Sequence, residues 1–239
     1  MSIGKTLPAL VVWISFGAAI VTAGPNWPTW RGEDMSALAE DADPPIEFSE
    51  AQNLRWKVTV PGNGHSTPVV WGEKIFLLTA IETDIPAKPT GDPPPAETAG
   101  RGPDPSRFGI KKAIHEYKFG VVCFSLQDGK ILWQRTVRQE VPHEGHHRDH
   151  GYASGSPVTD GRYLWAFFGS RGMHCLDMEG TIVWSVDLGK QKTRVSFGEG
   201  SSPALVGNAI IAVVDHEGDS FIVGLEKSTG KELWRKGRD

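Results

Sequence analysis

Cysteine is scarce in this chain, and neither sign of charge is in large excess. The 239 residues include two cysteines, Cys123 and Cys175, which are too few for a scaffold that depends on disulfides. The net charge of -4 gives the chain no basic field, so we expect no nucleic-acid partner. With 39% hydrophobic and 23% charged residues, the composition is that of a globular protein rather than of a disordered or fibrous one.

The sequence also lacks an apolar run long enough to cross a bilayer. The run from Leu7 to Val21 is shorter than the roughly 20 residues that a spanning helix needs. Lys5 precedes it, and Val21-Thr22-Ala23 puts small residues where a signal peptidase cleaves. Residues 1–23 are therefore predicted to be a signal peptide, with a retained anchor as the alternative. The mature chain is expected to be secreted or periplasmic and to have no transmembrane span.

A glycine followed four positions later by a tryptophan occurs three times, with a period of roughly 50 residues: Gly129 to Trp133, Gly180 to Trp184 and Gly230 to Trp234. A piece with serine and proline lies upstream of each: Ser66 to Val70, Ser154 to Val158 and Ser201 to Leu205. This period, filled with short β-type runs, predicts an all-β propeller of four-stranded antiparallel blades. The glycines suit turns with positive φ, and each tryptophan can cover the gap to the next sheet, so both have structural roles.

The repeat divides the chain into a lead-in segment and a body of blades. Residues 24–53 are rich in Pro, Gly and acidic residues and are predicted to be irregular, with Trp27 and Trp30 docking them onto the body. Residues 54–239 are predicted to form the blades, and Leu54 to Val60 is interpreted as the end of a repeat that lacks a beginning. In the later units, strands are expected at Arg162 to Phe168, Met173 to Leu176, Thr181 to Val186, Asn208 to Val214, Phe221 to Leu225 and Glu232 to Arg235.

About three blades form an incomplete ring, since known propellers have at least about four. We therefore expect the chain to be part of a longer propeller, with assembly of several chains into one ring as an alternative. Cys123 and Cys175 occupy equivalent places in the third strands of successive blades. Because packed sheets lie about 10 Å apart and a disulfide needs Cα atoms within roughly 7 Å, two buried thiols are predicted.

Topology indicates where a functional site would lie. In four-stranded blades, the connections from strand two to three and from strand four to the next blade emerge on one face, here called the long-loop face. All the long connections are of this kind: 82–118, 137–154, 188–200 and 215–219. The first is a proline-rich insertion without a core of its own, interpreted as a lid or as a docking motif for a partner. Its basic end, Lys111 to Lys118, could form a short helix or the edge of a strand.

The candidate binding residues on this face are mostly histidines. They are His65, His143, His146, His147, Arg148, His150, Asp215 and His216. Four of them, His143, His146, His147 and His150, are weak candidates for metal ligands, but Gly145 breaks a helix and no metal is assigned. The alternatives for this loop are a solvated surface and a site for an anionic or sugar ligand. No catalytic residue is assigned.

Three longer motifs carry a family resemblance: Trp27 to Gly32, His65 to Gly72 and Tyr152 to Gly161. Together with the Gly-to-Trp repeat, they resemble the PQQ-like (pyrroloquinoline quinone, quinoprotein-type) β-propeller repeat, and more narrowly a secreted bacterial group of unassigned activity. The family includes quinoprotein alcohol dehydrogenases and an outer-membrane assembly lipoprotein that acts as a scaffold, so the resemblance alone does not give the function.

The resemblance implies two possible functions, one non-catalytic and one enzymatic. In the dehydrogenases, PQQ and Ca²⁺ occupy a central channel beside an adjacent Cys-Cys pair and a carboxylate base. This sequence has no Cys-Cys pair and no Cys-x-x-Cys-His. The prediction is a non-catalytic secreted propeller that acts in binding or scaffolding with a protein or glycan partner. The alternative is a PQQ-dependent quinoprotein oxidoreductase, and a hydrolase comes third because no nucleophile elbow is present.

Overall fold

The described residues form three four-stranded antiparallel sheets, each with its strands in chain order, and one short two-stranded sheet. The computed structural model describes residues 26–39, 42–88 and 105–238, so the predicted signal peptide at 1–23 and the central part of the proline-rich insertion lie outside it. The sheets confirm the predicted fold class, and they do not close a ring. Among the described residues, no helix is long and apolar enough to cross a membrane.

The strands follow the predicted units closely. In the first unit, β1 (Val69–Trp71) and β2 (Lys74–Pro86) are followed by the short β3 (Ile110–Lys111) and then by β4 (His115–Ser125) and β5 (Ile131–Glu140). β1, β2, β4 and β5 form the first sheet, whereas β3 pairs with β6 (His146–His147). The second sheet comprises β7 (Val158–Thr159), β8 (Tyr163–Phe167), β9 (Met173–Asp177) and β10 (Ile182–Val186). The third comprises β11 (Ala204–Val206), β12 (Ala209–Val214), β13 (Phe221–Glu226) and β14 (Glu232–Gly237). Short 3-10 turns lie at Pro105–Phe108, Gly169–Arg171 and Arg194–Ser196.

The core lies between the sheets, and the second sheet contributes to both halves of it. Leu164 and Ala166 of β8 face the first sheet and join a cluster with Phe76. Trp165 and Phe167 of the same strand join a second cluster with residues of the third sheet. Because side chains alternate along a strand, a strand that is buried on both faces needs an unbroken apolar run. This explains why β8 reads Tyr-Leu-Trp-Ala-Phe rather than alternating with polar residues.

The repeated Gly-to-Trp pattern forms a contact between successive units. Trp56 covers Gly129, Trp133 covers Gly180 and Trp184 covers Gly230, and a Cβ on any of these glycines would lie 2.7–2.8 Å from the ring. The three indole Nε1 atoms donate to the carbonyl oxygens of Leu126, Met178 and Lys227 at 3.0, 3.1 and 3.1 Å. The glycines have φ between +70° and +83°, so both the backbone and the ring overhead require glycine. Trp234 lies over Gly224 of its own sheet and is 42% exposed.

The upstream serine pieces form a second contact between units. The Thr67 amide donates to Ser156 Oγ and the Ser156 amide donates to Ser202 Oγ, both at 2.9 Å. Each serine piece contains a proline just before the first strand of its sheet: Pro68, Pro157 and Pro203. Proline is tolerated there because the start of an edge strand does not need the amide donor.

Three sequence predictions need correction, and the interpretation of Leu54 to Val60 needs a refinement. This segment forms no strand within the described part of the chain, but its Trp56 covers Gly129 as the tryptophan at the end of a repeat does. The insertion predicted at 82–118 begins later and ends earlier, since β2 and β4 remain paired as far as Pro86 and His115. β5 likewise continues to Glu140, beyond the position predicted for the loop at 137–154. In the lead-in, Trp27 exchanges two backbone hydrogen bonds with Val70, but Trp30 is 44% exposed, so of the two tryptophans it is Trp27 that docks the segment.

The two cysteines are free and buried, as predicted. Cys123 lies in β4 and Cys175 in β9, the third strands of their sheets. Burial raises the pKa of both thiols to about 12. A buried thiol with a raised pKa is not an activated nucleophile, so both act as small apolar residues of the core.

Candidate functional site

A cavity of about 280 Å³ opens on the long-loop face, between the first two units. Three segments form its walls: residues 63–65, which lead into β1; Lys111 and Tyr117 at the edge of the insertion; and residues 146–152, which join the first unit to the second. We call this space the histidine cavity. It lies where the long connections of successive blades meet, as the topology predicted for a site.

The short ladder between β3 and β6 brings the insertion to the histidine-rich loop. Ile110 pairs with His147 and Lys111 with His146. The strands approach so closely that a Cβ on Gly145 would lie 2.5 Å from the Lys111 carbonyl oxygen. Gly145 therefore does more than break a helix, because its missing side chain lets the basic end of the insertion reach the histidines. Of the two structures considered for Lys111 to Lys118, the described chain adopts strand structure.

Three imidazoles face the histidine cavity. The His146 ring lies 4.5 Å from the Tyr152 ring, and its Nδ1 hydrogen-bonds to the His147 carbonyl oxygen at 2.7 Å. Because a carbonyl oxygen only accepts, Nδ1 carries the proton and Nε2 is left to face a ligand. The His65 and His150 rings lie 6.0 Å apart. Burial, followed by the neighbouring imidazoles, lowers the pKa of His150 below its ordinary value.

The structure brings together four of the eight predicted binding residues and separates the others. His65, His146, Arg148 and His150 line the histidine cavity. Elsewhere on the long-loop face, His143 Nε2 hydrogen-bonds to the Gln191 carbonyl oxygen, His147 packs on Phe197, Asp215 pairs with Arg238, and His216 Nδ1 accepts from the Gly218 amide. Among the described residues, no three His, Cys, Asp or Glu side chains are grouped as metal ligands.

Sequence reasoning missed several residues of the site. Lys111, Tyr117, Tyr152 and Asn63 also line the cavity. The Tyr117 and Tyr152 rings lie 4.9 Å apart, and burial raises the pKa of the Tyr117 phenol to about 12 and that of Tyr152 further. Both phenols are therefore neutral hydrogen-bonding groups. Tyr152 begins the motif Tyr152 to Gly161, which was the available signal. Lys111 and Tyr117 lie in the basic end of the insertion, but nothing local indicated that this segment reaches the histidines.

A buried ionic network supports the rear wall of the cavity. The Arg171 side chain is 3% exposed, and its Nη1 donates to Glu199 Oε2 at 3.1 Å. Glu199 also accepts from the Ser170 amide at 2.7 Å and from its hydroxyl at 2.5 Å. The guanidinium lies 5.5 Å from the Tyr152 ring centroid. Arg171 thus joins the second sheet to the connection 188–200 and fixes the aromatic wall, since breaking a buried ion pair is costly.

The contact most like a nucleophile and a base involves Ser154 and His150. Ser154 Oγ lies 3.4 Å from His150 Nδ1 and 3.2 Å from the Gly151 carbonyl oxygen, to which it donates. A nucleophile and its base are usually within about 2.6–3.2 Å, with a third group orienting the base. The hydroxyl proton here points to a backbone acceptor, so the pair does not form an activated serine.

The histidine cavity itself does not supply the oxygen ligands of a quinone held beside Ca²⁺. Calcium takes about 6–8 oxygen ligands, most of them carboxylates or carbonyls. The lining of the histidine cavity contains the Asn63 amide but no Asp or Glu. The nearby Glu82 hydrogen-bonds to His115 at 2.8 Å on the neighbouring strand. The cavity therefore offers neither the calcium ligands nor the carboxylate base that the dehydrogenase alternative needs.

Comparisons with known proteins identify a family. A family model described as outer membrane protein assembly factor BamB, of the PQQ-like repeat type, matches residues 117–239, which is just over half of the chain. No curated protein matches the chain significantly.

Among solved structures, quinohemoprotein alcohol dehydrogenase ADHIIG from Pseudomonas putida HK5 is similar at 15% identity, over 89% of this chain and 26% of its own, with a TM-score of 0.47. Quinohemoprotein alcohol dehydrogenase from Comamonas testosteroni is similar at 11% identity, over 92% of this chain and 28% of its own, with a TM-score of 0.46. BamB from Moraxella catarrhalis is similar at 13% identity, over 54% of this chain and 35% of its own, with a TM-score of 0.33. The chain spans about a quarter to a third of the length of these proteins.

The family match begins in β4 at Tyr117 and includes the units that carry Trp133, Trp184 and Trp234. Trp133 and Trp184, with the glycines they cover, give the sheets their repeated contacts. The chain belongs to the PQQ-like repeat family whose model is described as outer membrane protein assembly factor BamB.

Proposed function

We propose that this chain is a non-catalytic, exported member of its family that binds a ligand or partner on the long-loop face. The observation that carries the proposal is the histidine cavity, where His65, His146 and His150 meet Lys111 and Arg148. Binding residues are commonly found on loops that a rigid scaffold positions. Here the sheets are the scaffold, and the described turns on the opposite face are short and are occupied by the covered glycines.

The chemistry of the cavity favours binding over catalysis. Ser154 donates its proton to a backbone carbonyl, and both cysteine thiols are buried. The tyrosine phenols have raised pKa values, and no carboxylate lines the cavity to act as a general base. Imidazoles, phenols and two cationic side chains are groups that recognise a ligand by hydrogen bonds and charge. The predicted signal peptide at 1–23 supports a location outside the cytoplasm, and processing after Ala23 is testable by sequencing the N-terminus of the exported protein.

The deciding experiment sets binding against quinone-dependent oxidation. The purified chain is mixed with PQQ and Ca²⁺, and quinone absorbance and dye reduction are followed with simple alcohols. We expect no turnover. Stoichiometric quinone binding with alcohol-dependent dye reduction would overturn the proposal and make the chain a quinoprotein oxidoreductase.

The location of the site is tested with a pair of matched histidine variants. His146→Ala removes a ring from the cavity, whereas His143→Ala removes one that hydrogen-bonds to Gln191 outside it. In a ligand screen read by NMR, we expect His146→Ala to weaken saturable binding and His143→Ala to leave it unchanged. Equal effects of the two substitutions would place the binding surface elsewhere on the long-loop face.

A further inference from the structure

The histidine cavity has the opposite charge to the chain that contains it. The whole sequence carries a net charge of -4. Lys111 and Arg148 line the cavity, and none of its lining residues is acidic. Lys111 forms no ion pair with any described residue, and the nearest carboxylate to Arg148, that of Asp149, is 3.7 Å away with both side chains largely exposed. Two permanent positive charges therefore face the cavity without close partners.

The imidazoles add polar ring nitrogens beside this charge. His146 Nδ1 donates to the His147 carbonyl oxygen, so Nε2 accepts in the neutral ring and donates only in the protonated one. The charged and titratable neighbours of His150 are His65 from the segment before β1, His146 and His147 from β6, and Arg148 and Asp149 beside it. Burial and the neighbouring imidazoles lower the pKa of His150, and an anion between the rings would offset the part that comes from the imidazoles.

Among the described residues, the carboxylate within 4 Å of a cavity cation is that of Asp149, which is largely exposed. Glu144 Oε2 accepts from the Thr193 amide at 2.9 Å and from its hydroxyl at 3.0 Å. Glu199 is bonded to Ser170 and Arg171, and Glu82 to His115. These three glutamates are bonded elsewhere, so the positive charge of the cavity is available to a ligand.

We infer that the histidine cavity recognises an anionic group, a carboxylate or a phosphate, on a small molecule or on one residue of a larger ligand. The inference rests on the proposed function and specifies the chemistry of its ligand. The volume of about 280 Å³ lies just below the roughly 300–1,000 Å³ of sites for drug-sized molecules. Lys111 and Arg148 supply charge-assisted hydrogen bonds, and the tyrosine and histidine rings line the wall around them.

The test uses three probes and the purified full chain. Glucuronate carries a carboxylate on a sugar ring, glucose is its neutral counterpart, and inorganic phosphate is a free anion. By calorimetry, we expect glucuronate or phosphate to bind and glucose to bind at least about tenfold more weakly, since a charge-assisted hydrogen bond contributes that much or more. Preference for glucuronate over phosphate would assign a sugar acid, and the reverse would assign a phosphate group. Binding should also weaken as the ionic strength rises from about 0.01 to 0.15 M, where the Debye length falls from ~30 to ~8 Å.

Two neighbouring lysines provide the matched variants. Lys111→Met removes a cavity cation and is expected to weaken binding of the anionic probe about tenfold. Lys112→Met makes the same change in net charge at a residue outside the cavity lining and is expected to change affinity less than about twofold, since its charge is exposed and screened. Both residues are exposed, so neither variant should unfold the protein, and Arg148→Gln provides a second removal of charge from the cavity wall.

Three outcomes would overturn the inference: equal affinity for glucose and glucuronate, equal effects of the two lysine variants, or no binding of either anion at millimolar concentration. Equal binding of glucose at a site sensitive to His146→Ala would leave the proposed binding function intact and remove only the anionic ligand. Turnover with PQQ and Ca²⁺ would instead remove the proposed function itself.

Discussion

The two faces of the propeller use their residues in opposite ways. On the face with tight turns, the same contact is made three times: a tryptophan covers a glycine and donates to a backbone oxygen. On the long-loop face, the described residues form the histidine cavity from loops of different length and sequence. The repeat thus maintains the architecture, and the residues outside it distinguish this chain from other chains with the same repeat.

The strongest way to break this contrast is to remove a covering tryptophan. Trp184 is 9% exposed and covers Gly230, whereas Trp234 is 42% exposed and covers no glycine of a following unit. Trp184→Ala is expected to lower the free energy of unfolding by about 3–5 kcal/mol, and Trp234→Ala by less than about 2 kcal/mol because much of its ring already contacts water. Urea denaturation measures both. Equal losses in the free energy of unfolding would mean that covering the next unit's glycine adds no stability beyond the burial of the ring.

A buried histidine near the long-loop face should make stability depend on pH. Burial lowers the pKa of His174 to about 4, and the neutral ring bonds to Ser185 Oγ and to the Arg171 carbonyl oxygen. Between the ordinary histidine pKa and about 4, the unfolded chain binds the proton and the folded chain does not, so stability falls as the pH falls. The expected loss over this window is about 3 kcal/mol.

Denaturation of the native chain and of His174→Gln at both ends of this window isolates the effect, since glutamine does not titrate. The variant should lose correspondingly less stability on acidification, whatever its stability at neutral pH. The same loss in both proteins would assign the pH dependence to other groups.

Glycine substitutions separate backbone strain from the contact with the ring. Gly180 and Gly207 both have positive φ, but a Cβ at Gly180 would lie 2.8 Å from Trp133, and a Cβ at Gly207 would meet nothing within 4 Å. Gly207→Ala should cost about 1–2 kcal/mol for the left-handed backbone alone. Gly180→Ala should cost about 1–3 kcal/mol more because the ring must move. Thermal denaturation compares the two, and a smaller loss for Gly180→Ala would contradict the proposed fit.

The smallest expected effect lies on the long-loop face. His65 is exposed and lines the cavity, so His65→Ala should change the free energy of unfolding by less than about 0.5 kcal/mol. The same substitution should weaken binding of the anionic probe. A large loss of stability without a change in binding would make His65 a structural residue and reverse the contrast between the faces.

Much of the fold could be predicted because the repeat aligns its own strands. The expected strand Asn208 to Val214 agrees with β12 to within one residue, and Phe221 to Leu225 agrees equally with β13. The extension of β2 to Pro86 was not expected, because proline and the charged residues before it are unfavourable in strands. It forms because β4 pairs alongside it, which no local pattern shows.

The site was less predictable than the fold because part of it depends on a contact between residues that are distant in sequence. His65, His146, Arg148 and His150 were recognisable as polar residues on connections that emerge on one face. Lys111 reaches the cavity only through its pairing with His146, across a large separation in sequence. A contact of that kind depends on how the insertion folds back, and local propensity does not determine it.

The direction of the contacts between units has a consequence for how such a chain can change in evolution. The second unit sends Trp184 forward onto Gly230 and lends the Ser156 hydroxyl backward to Thr67 of the first unit. Duplication or deletion of such an internal unit therefore moves both halves of its junctions together. Gene-level gain or loss of whole units can alter the number of blades without requiring compensating substitutions at the joints.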